Sequence, residues 1–158
     1  MADEPYQRVL GQIPSGLFIL TARQAERETG VLVSWVMQAG FAPPAVSVAL
    51  RSGRLACEWL EAGAPFVLNL LPTDDKTLLK HFGRGFGPGE DAFAGLEFDR
   101  TSGGLPVLRN TVGHLECRPL GSVEAGDHRV FVAEITGGAA GDEAKAPMVH
   151  VRRSGLKY

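Results

Sequence analysis

The chain predicts a mainly β domain with a few short α-helices, and three observations carry that prediction. Glycine (20) and proline (10) punctuate the sequence, and the runs between them are rich in Val, Leu, Ile and Phe, as in many short strands joined by turns. In Ala45-Val46-Ser47-Val48-Ala49-Leu50 large and small side chains alternate with a period of two, as they do when one strand face packs inward and the other lies under a loop or helix. Only two segments follow a helical period instead.

Strands are expected over residues 17–22, 31–35, 45–50, 66–71, 111–120, 128–137 and 147–151. The first helix is expected over 54–62, where Leu55, Trp59 and Ala62 fall at i, i+4 and i+7 on one face. The second covers 73–82: Thr73 is placed to cap it, Asp74 and Asp75 lie in its first turn, and Lys80 and His81 in its last, which suits the helix dipole. Residues 83–95 are glycine-rich with little periodicity, the mark of an ordered surface loop that could serve as a lid or a dimer contact. Residues 136–146 read as a small Gly/Ala-rich connector. No internal repeat is visible.

At 158 residues and 44% hydrophobic content, the chain has the size of a single domain, read as 1–158, with a sizeable core. A net charge of -2 and a pI of about 6.1 offer no basic surface for phosphate backbones, so nucleic acid is not expected as a partner. No apolar run approaches the roughly 20 residues needed to cross a bilayer. Cys57 and Cys117 form no C-x-x-C pair, and the first residues, Met1-Ala2-Asp3-Glu4, lack a positive flank and an apolar run. A cytoplasmic protein with reduced thiols is the expectation.

The most informative stretch is residues 33–44, where an apolar strand runs into a small, polar-edged loop closed by Pro43 and Pro44. Such a loop can present backbone groups to a flat ligand. Further landmarks follow in order: Asn69, His81-Phe82, Gly87-Pro88-Gly89-Glu90-Asp91, Phe93-Ala94-Gly95, Leu115-Glu116-Cys117, Gly126-Asp127-His128, and Arg153-Ser154-Gly155 before Tyr158. With Ser34-Trp35-Val36, Gln38-Ala39 and Phe41, this collinear set resembles the flavin reductase-like, FMN-binding split-barrel family. Within it, the set is similar to the C-terminal flavin reductase-like module of cyanobacterial-type flavodiiron (diflavin) proteins. The resemblance spans about Leu10 to Tyr158.

The resemblance implies a split β-barrel, a homodimer with the cofactor near its seam, FMN as cofactor and NADH or NADPH as electron donor. It also implies electron transfer to a partner such as a di-iron or flavodoxin-like acceptor domain. The other reading is an FMN-holding electron carrier without a productive nicotinamide site; a third is a barrel that binds another planar ligand, such as haem. Met37 and Gly40 motivate the third, since serine is common at both positions in the module.

FMN needs an anchor for a dianionic phosphate, polar groups at the ring's rim, and a dry face for the ring. Neither G-x-G-x-x-G after a strand nor a P-loop is present. The anchor is therefore sought in Arg51-Ser52-Gly53-Arg54, between a strand and a helix start; the alternative is a solvated turn with two surface arginines. The ring is expected against Ser34, Trp35, Val36, Met37, Gln38 and Ala39, with Trp35, Phe41 or Phe82 as a wall, against ordinary strand-end packing of those aromatics. Asn69, an amide in the apolar run 67–71, either serves a flavin carbonyl or bonds to a neighbouring loop. The resemblance places His128 near the nicotinamide or the exposed flavin face, and Tyr158 over the flavin or the partner subunit. Without it, His128 is a turn histidine bonded to backbone and Tyr158 a tail residue. His114 and Glu116 share a strand face, more in keeping with a solvated edge than a metal pair.

Overall fold

The computed structural model describes residues 4–157. Its elements are α1 (Pro5–Gln12), β1 (Ser15–Gly16), β2 (Phe18–Gln24), β3 (Arg27–Val33), β4 (Val36–Phe41), β5 (Pro44–Arg51) and α2 (Leu55–Glu61). They continue as β6 (Phe66–Leu70), α3 (Thr77–Gly83), β7 (Phe98–Arg100), β8 (Pro106–Leu108), β9 (Gly113–Ala125), β10 (His128–Ala140) and β11 (Val149–His150). Seven strands form one antiparallel sheet in the order β3-β2-β6-β9-β10-β5-β4. β3 comes back against β5 without pairing with it, so the sheet curls into a barrel that stays open along one seam. This is the split barrel.

Alternation along the strands sorts the apolar side chains into two cores. Leu20 and Ala22 of β2, Val46, Val48 and Leu50 of β5, Phe66 and Leu68 of β6, and Phe131 and Ala133 of β10 fill the interior together with Ala56, Cys57, Trp59 and Leu60 of α2. Burying side chains of this size contributes about 1.5–3 kcal/mol each, and it explains why a seven-residue helix without a side-chain cap persists. Gly63, at φ 86°, ends α2 in a left-handed turn. Outside the barrel, Leu17, Ile19 and Leu71 meet Phe82 of α3 and Ala92 and Phe93 of the following loop. The 83–95 segment is thus anchored by its aromatics to a second core.

Several elements differ from expectation. Residues 36–41 form a strand, not a loop: Val36 pairs with Val48 and Met37 with Ser47, with an irregularity between Gln38 and Gly40. An edge strand is held from one side only and shows no apolar alternation, so its pattern carries no signal. α3 starts at Thr77, where the Asp75 carboxylate accepts the Thr77 N–H at 2.8 Å; Thr73 instead donates its hydroxyl to the Pro147 carbonyl at 3.0 Å. The 136–146 connector is half strand. β10 continues to Ala140 because Gly138, at φ 151°, lets the backbones close up; a Cβ there would lie 2.5 Å from the His114 carbonyl oxygen. α1, β1, β7 and β8 lie outside the expected elements.

Candidate functional site

A cavity of about 400 Å³ opens where β3 and β5 end and β10 begins, beside α3. Val31, Leu32, Val33, Leu50, Leu79 and Phe82 make its apolar walls, and Ser34, Trp35, Arg51, Arg54, Arg84, His128 and His150 its polar and aromatic rim. Phe82 can reach the wall because Gly30 of β3 leaves room: any Cβ there would collide with the Phe82 ring. A larger cleft of about 720 Å³ lies around residues 99–116 and 138–145. Its cations are already engaged, Arg109 by Asp99 and Glu97 and Lys145 by Asp74 at 3.6 Å.

Strand register assembles the rim. His128 is directly opposite Arg51 in the β10–β5 ladder, and the Ser52 N–H donates to the Asp127 carbonyl at 3.0 Å. Gly126, at φ 63°, makes the tight hairpin turn that brings these residues together. The His128 ring lies 4.7 Å from the Trp35 ring at an interplanar angle of 44°, and its Nδ1 is 2.8 Å from the Asp127 carboxylate. The hydrogen bond from His128, then its charge, hold the Asp127 carboxyl below its ordinary 3.8. A carboxylate only accepts, so Nδ1 carries the shared proton and Nε2 remains for a ligand.

The arginines on the rim are not equivalent. Arg84 stacks on Phe86 with its Cζ 4.1 Å from the ring centre and lies 3.5 Å from Glu90. Arg54, at the N-cap of α2, has no ion pair among the described residues and faces the α3 exit at Gly85, where a Cβ would sit 3.2 Å from its guanidinium. The thiols offer no nucleophile: burial pushes Cys57 up to about 11 and Cys117 up to about 12.

Of the residues singled out from sequence, Ser34, Trp35, Arg51, Arg54, Phe82 and His128 come together on this cavity. Ser52 is exposed and outside the lining, and Val36 packs against the barrel core. Met37, Gln38 and Ala39 stand exposed on β4, and Phe41, 89% exposed, lies at the tip of the β4–β5 hairpin; all four fall outside the lining because residues 36–41 pair as an edge strand. Asn69 is fully buried, lies outside this lining and finds its partners on neighbouring strands. Its amide donates to the Ile19 carbonyl at 2.9 Å and to Thr21 Oγ1 at 3.2 Å, and its carbonyl accepts the Leu108 N–H at 2.9 Å. Tyr158 lies outside the described residues. Sequence reading missed Leu79, Arg84, Gly85 and His150; the first three lie beside the His81-Phe82 landmark, and His150 is delivered by the β1–β11 pairing.

Known proteins show the same architecture. The flavin reductase-like domain model matches residues 10–155. Diflavin flavoprotein A 1 of Synechocystis sp. is 35% identical over 99% of this chain and 27% of its own length; putative diflavin flavoprotein A 3 of the same organism is 37% identical over 96% and 26%. The chain thus spans about a quarter of the length of the curated relatives it matches. Among solved structures, the NADH:FAD oxidoreductase SgcE6 of Streptomyces globisporus C-1027 superposes with a TM-score of 0.83 at 25% identity, over 91% of this chain and 85% of that one. The flavin reductase PheA2 shares the fold, with a TM-score of 0.78 at 22% identity over 96% and 94%.

The fold and the family model define a class, the split β-barrels of flavin reductase-like domains. Within it, this chain belongs to the flavin reductase-like family.

Proposed function

We propose that the domain binds FMN in the cavity beside Trp35 and uses NADH or NADPH to reduce it, acting as a flavin reductase module. Arg54 carries the reading: a guanidinium without an ion pair among the described residues, at the mouth of an apolar-walled hollow, in a chain of this family. The donor set suits a mononucleotide flavin. Arg51 and Arg54 supply two cations for a phosphate dianion, and Val31, Val33, Leu50 and Phe82 supply a dry wall for a ring.

Bound flavin would supply a ring that takes a hydride from the nicotinamide donor and hands the electrons on. Arg51 and Arg54 would hold the phosphate. The apolar wall would exclude water from the ring, and the Trp35–His128 pair would border the open side, where the donor must approach. Asp127 fixes the His128 ring, so Nε2 is ready to orient a carboxamide. No acid, base or nucleophile is needed for the transfer itself.

We further read the domain as one half of a homodimer. Met37, 64% exposed, and Val132, 40% exposed, share a cross-strand row through Ser47 on the outer sheet face, an apolar strip that a second copy would cover. The greater length of the diflavin relatives supports a further role as the module that feeds a linked di-iron or flavodoxin-like acceptor domain.

Spectroscopy with steady-state kinetics tests the reading. Titrated FMN should lose its fluorescence, and NADH or NADPH oxidation with FMN should run well above background. A protein that leaves FMN fluorescence untouched overturns it; one that quenches FMN but oxidises neither donor is a carrier instead.

A further inference from the structure

Beyond β11, the C-terminal segment approaches the cavity through the Arg152 side chain. The Arg152 guanidinium lies over the Trp35 ring, Cζ to ring centre 5.3 Å, and Trp35 in turn lies 4.7 Å from His128. From the same guanidinium, Nη1 donates to the carbonyls of Gly155 and Lys157, both at 3.3 Å. The backbone of this segment is tied to α1: the Arg152 N–H donates to the Gly11 carbonyl at 2.7 Å, the Gly155 N–H to the Gln7 carbonyl at 2.6 Å, and Gln12 Nε2 to the Arg152 carbonyl at 3.1 Å. Gly11 is buried, and a Cβ there would collide with the Arg152 carbonyl oxygen. A glycine is therefore what allows the helix and the tail to close up.

We propose that Arg152 is a positioning residue for the flavin site: clamped to α1, it fixes the Trp35 ring and through it the Trp35–His128 platform. Arg152 is absent from the cavity lining and reaches it through Trp35. A guanidinium over an indole face is the favourable cation–π arrangement, and the two carbonyl bonds hold the planar fork in one orientation. α1 thereby sets ring geometry in a cavity it does not line. The functional part of this inference rests on the flavin reading above; the geometric part does not.

NMR of the whole domain, before any ligand is added, tests the geometric part. Arg152→Ala should move the Trp35 indole N–H and the His128 ring resonances and leave the Trp59 indole, in the barrel core, in place. Gly11→Ala should move the same signals by displacing the tail, although it touches neither ring. Arg153→Ala is the control and should move none of them. With ligand, Arg152→Ala should weaken FMN and riboflavin alike, by about tenfold, because it disturbs the ring platform and not the phosphate corner. Unmoved Trp35 and His128 signals in Arg152→Ala, or a Trp59 shift of equal size, overturn the proposal. If wild-type protein binds no flavin, the functional reading fails while the NMR result still decides the clamp.

Discussion

On the β7–β8 hairpin, Arg100 bonds the Glu28 carboxylate and the Gly104 carbonyl, and Arg109 grips Asp99 with two nitrogens, at 3.1 and 2.8 Å, and Glu97 with a third at 3.3 Å. At the cavity mouth Arg54 has no such partner among the described residues, and Arg51 stands near an Asp127 carboxylate that His128 already occupies. All four arginines reach solvent, so exposure does not tell the two places apart. Partnership does: a guanidinium spent on carboxylates is part of the scaffold, whereas one left unspent beside an apolar hollow keeps its directional donors for an anion.

The largest expected effect lies under the hairpin. Asn69 joins β2, β6 and β8 through three buried bonds, so Asn69→Ala leaves the Ile19 carbonyl, the Thr21 hydroxyl and the Leu108 N–H short of a partner. A loss of about 3 kcal/mol in urea denaturation is expected, while the folded fraction should bind FMN as wild type does. A folded Asn69→Ala protein that has lost FMN affinity would return the amide to the binding site.

Next comes the cavity corner. Arg54→Ala should weaken FMN by about 30-fold, the worth of a charge-assisted contact, leave riboflavin within about twofold, and keep the thermal midpoint unchanged; isothermal titration with both ligands measures it. Equal losses for both would remove Arg54 from the phosphate. Arg109→Ala should leave both affinities untouched.

The same contrast explains what was legible in the sequence. Strands β2, β5, β6, β9 and β10 contribute to the barrel interior, and burial made them visible: β5 alternates with a period of two, while β2 and β6, buried on both faces, read as apolar runs. β4 is an edge, β7 and β8 have three residues each, and none of them carries enough alternation to read. The arginines at the cavity and at the hairpin look alike in a sequence, because partners such as Glu28 for Arg100 are remote in the chain. Asn69 announced a need for partners without saying which. His150 reaches the cavity only through pairing between opposite ends of the chain, and no local pattern records that.

The smallest effect separates the two kinds of arginine most directly. The hydrogen bond from Arg109 holds the Asp99 carboxyl below its ordinary 3.8. A carboxylate depressed in this way contributes stability that is complete above 3.8 and is lost as the pH falls through the lower, folded-state value. Carboxyl-detected NMR titration should therefore find the Asp99 midpoint below 3.8 in wild type and close to it in Arg109→Ala. Asp127 should behave likewise when His128→Ala removes its donor. Arg54→Ala should leave the midpoint of every carboxylate where it was, since that guanidinium holds none among the described residues. A carboxylate that rises on loss of Arg54 would reveal a partner for it, and the corner would then be one more surface ion pair in place of an anion site.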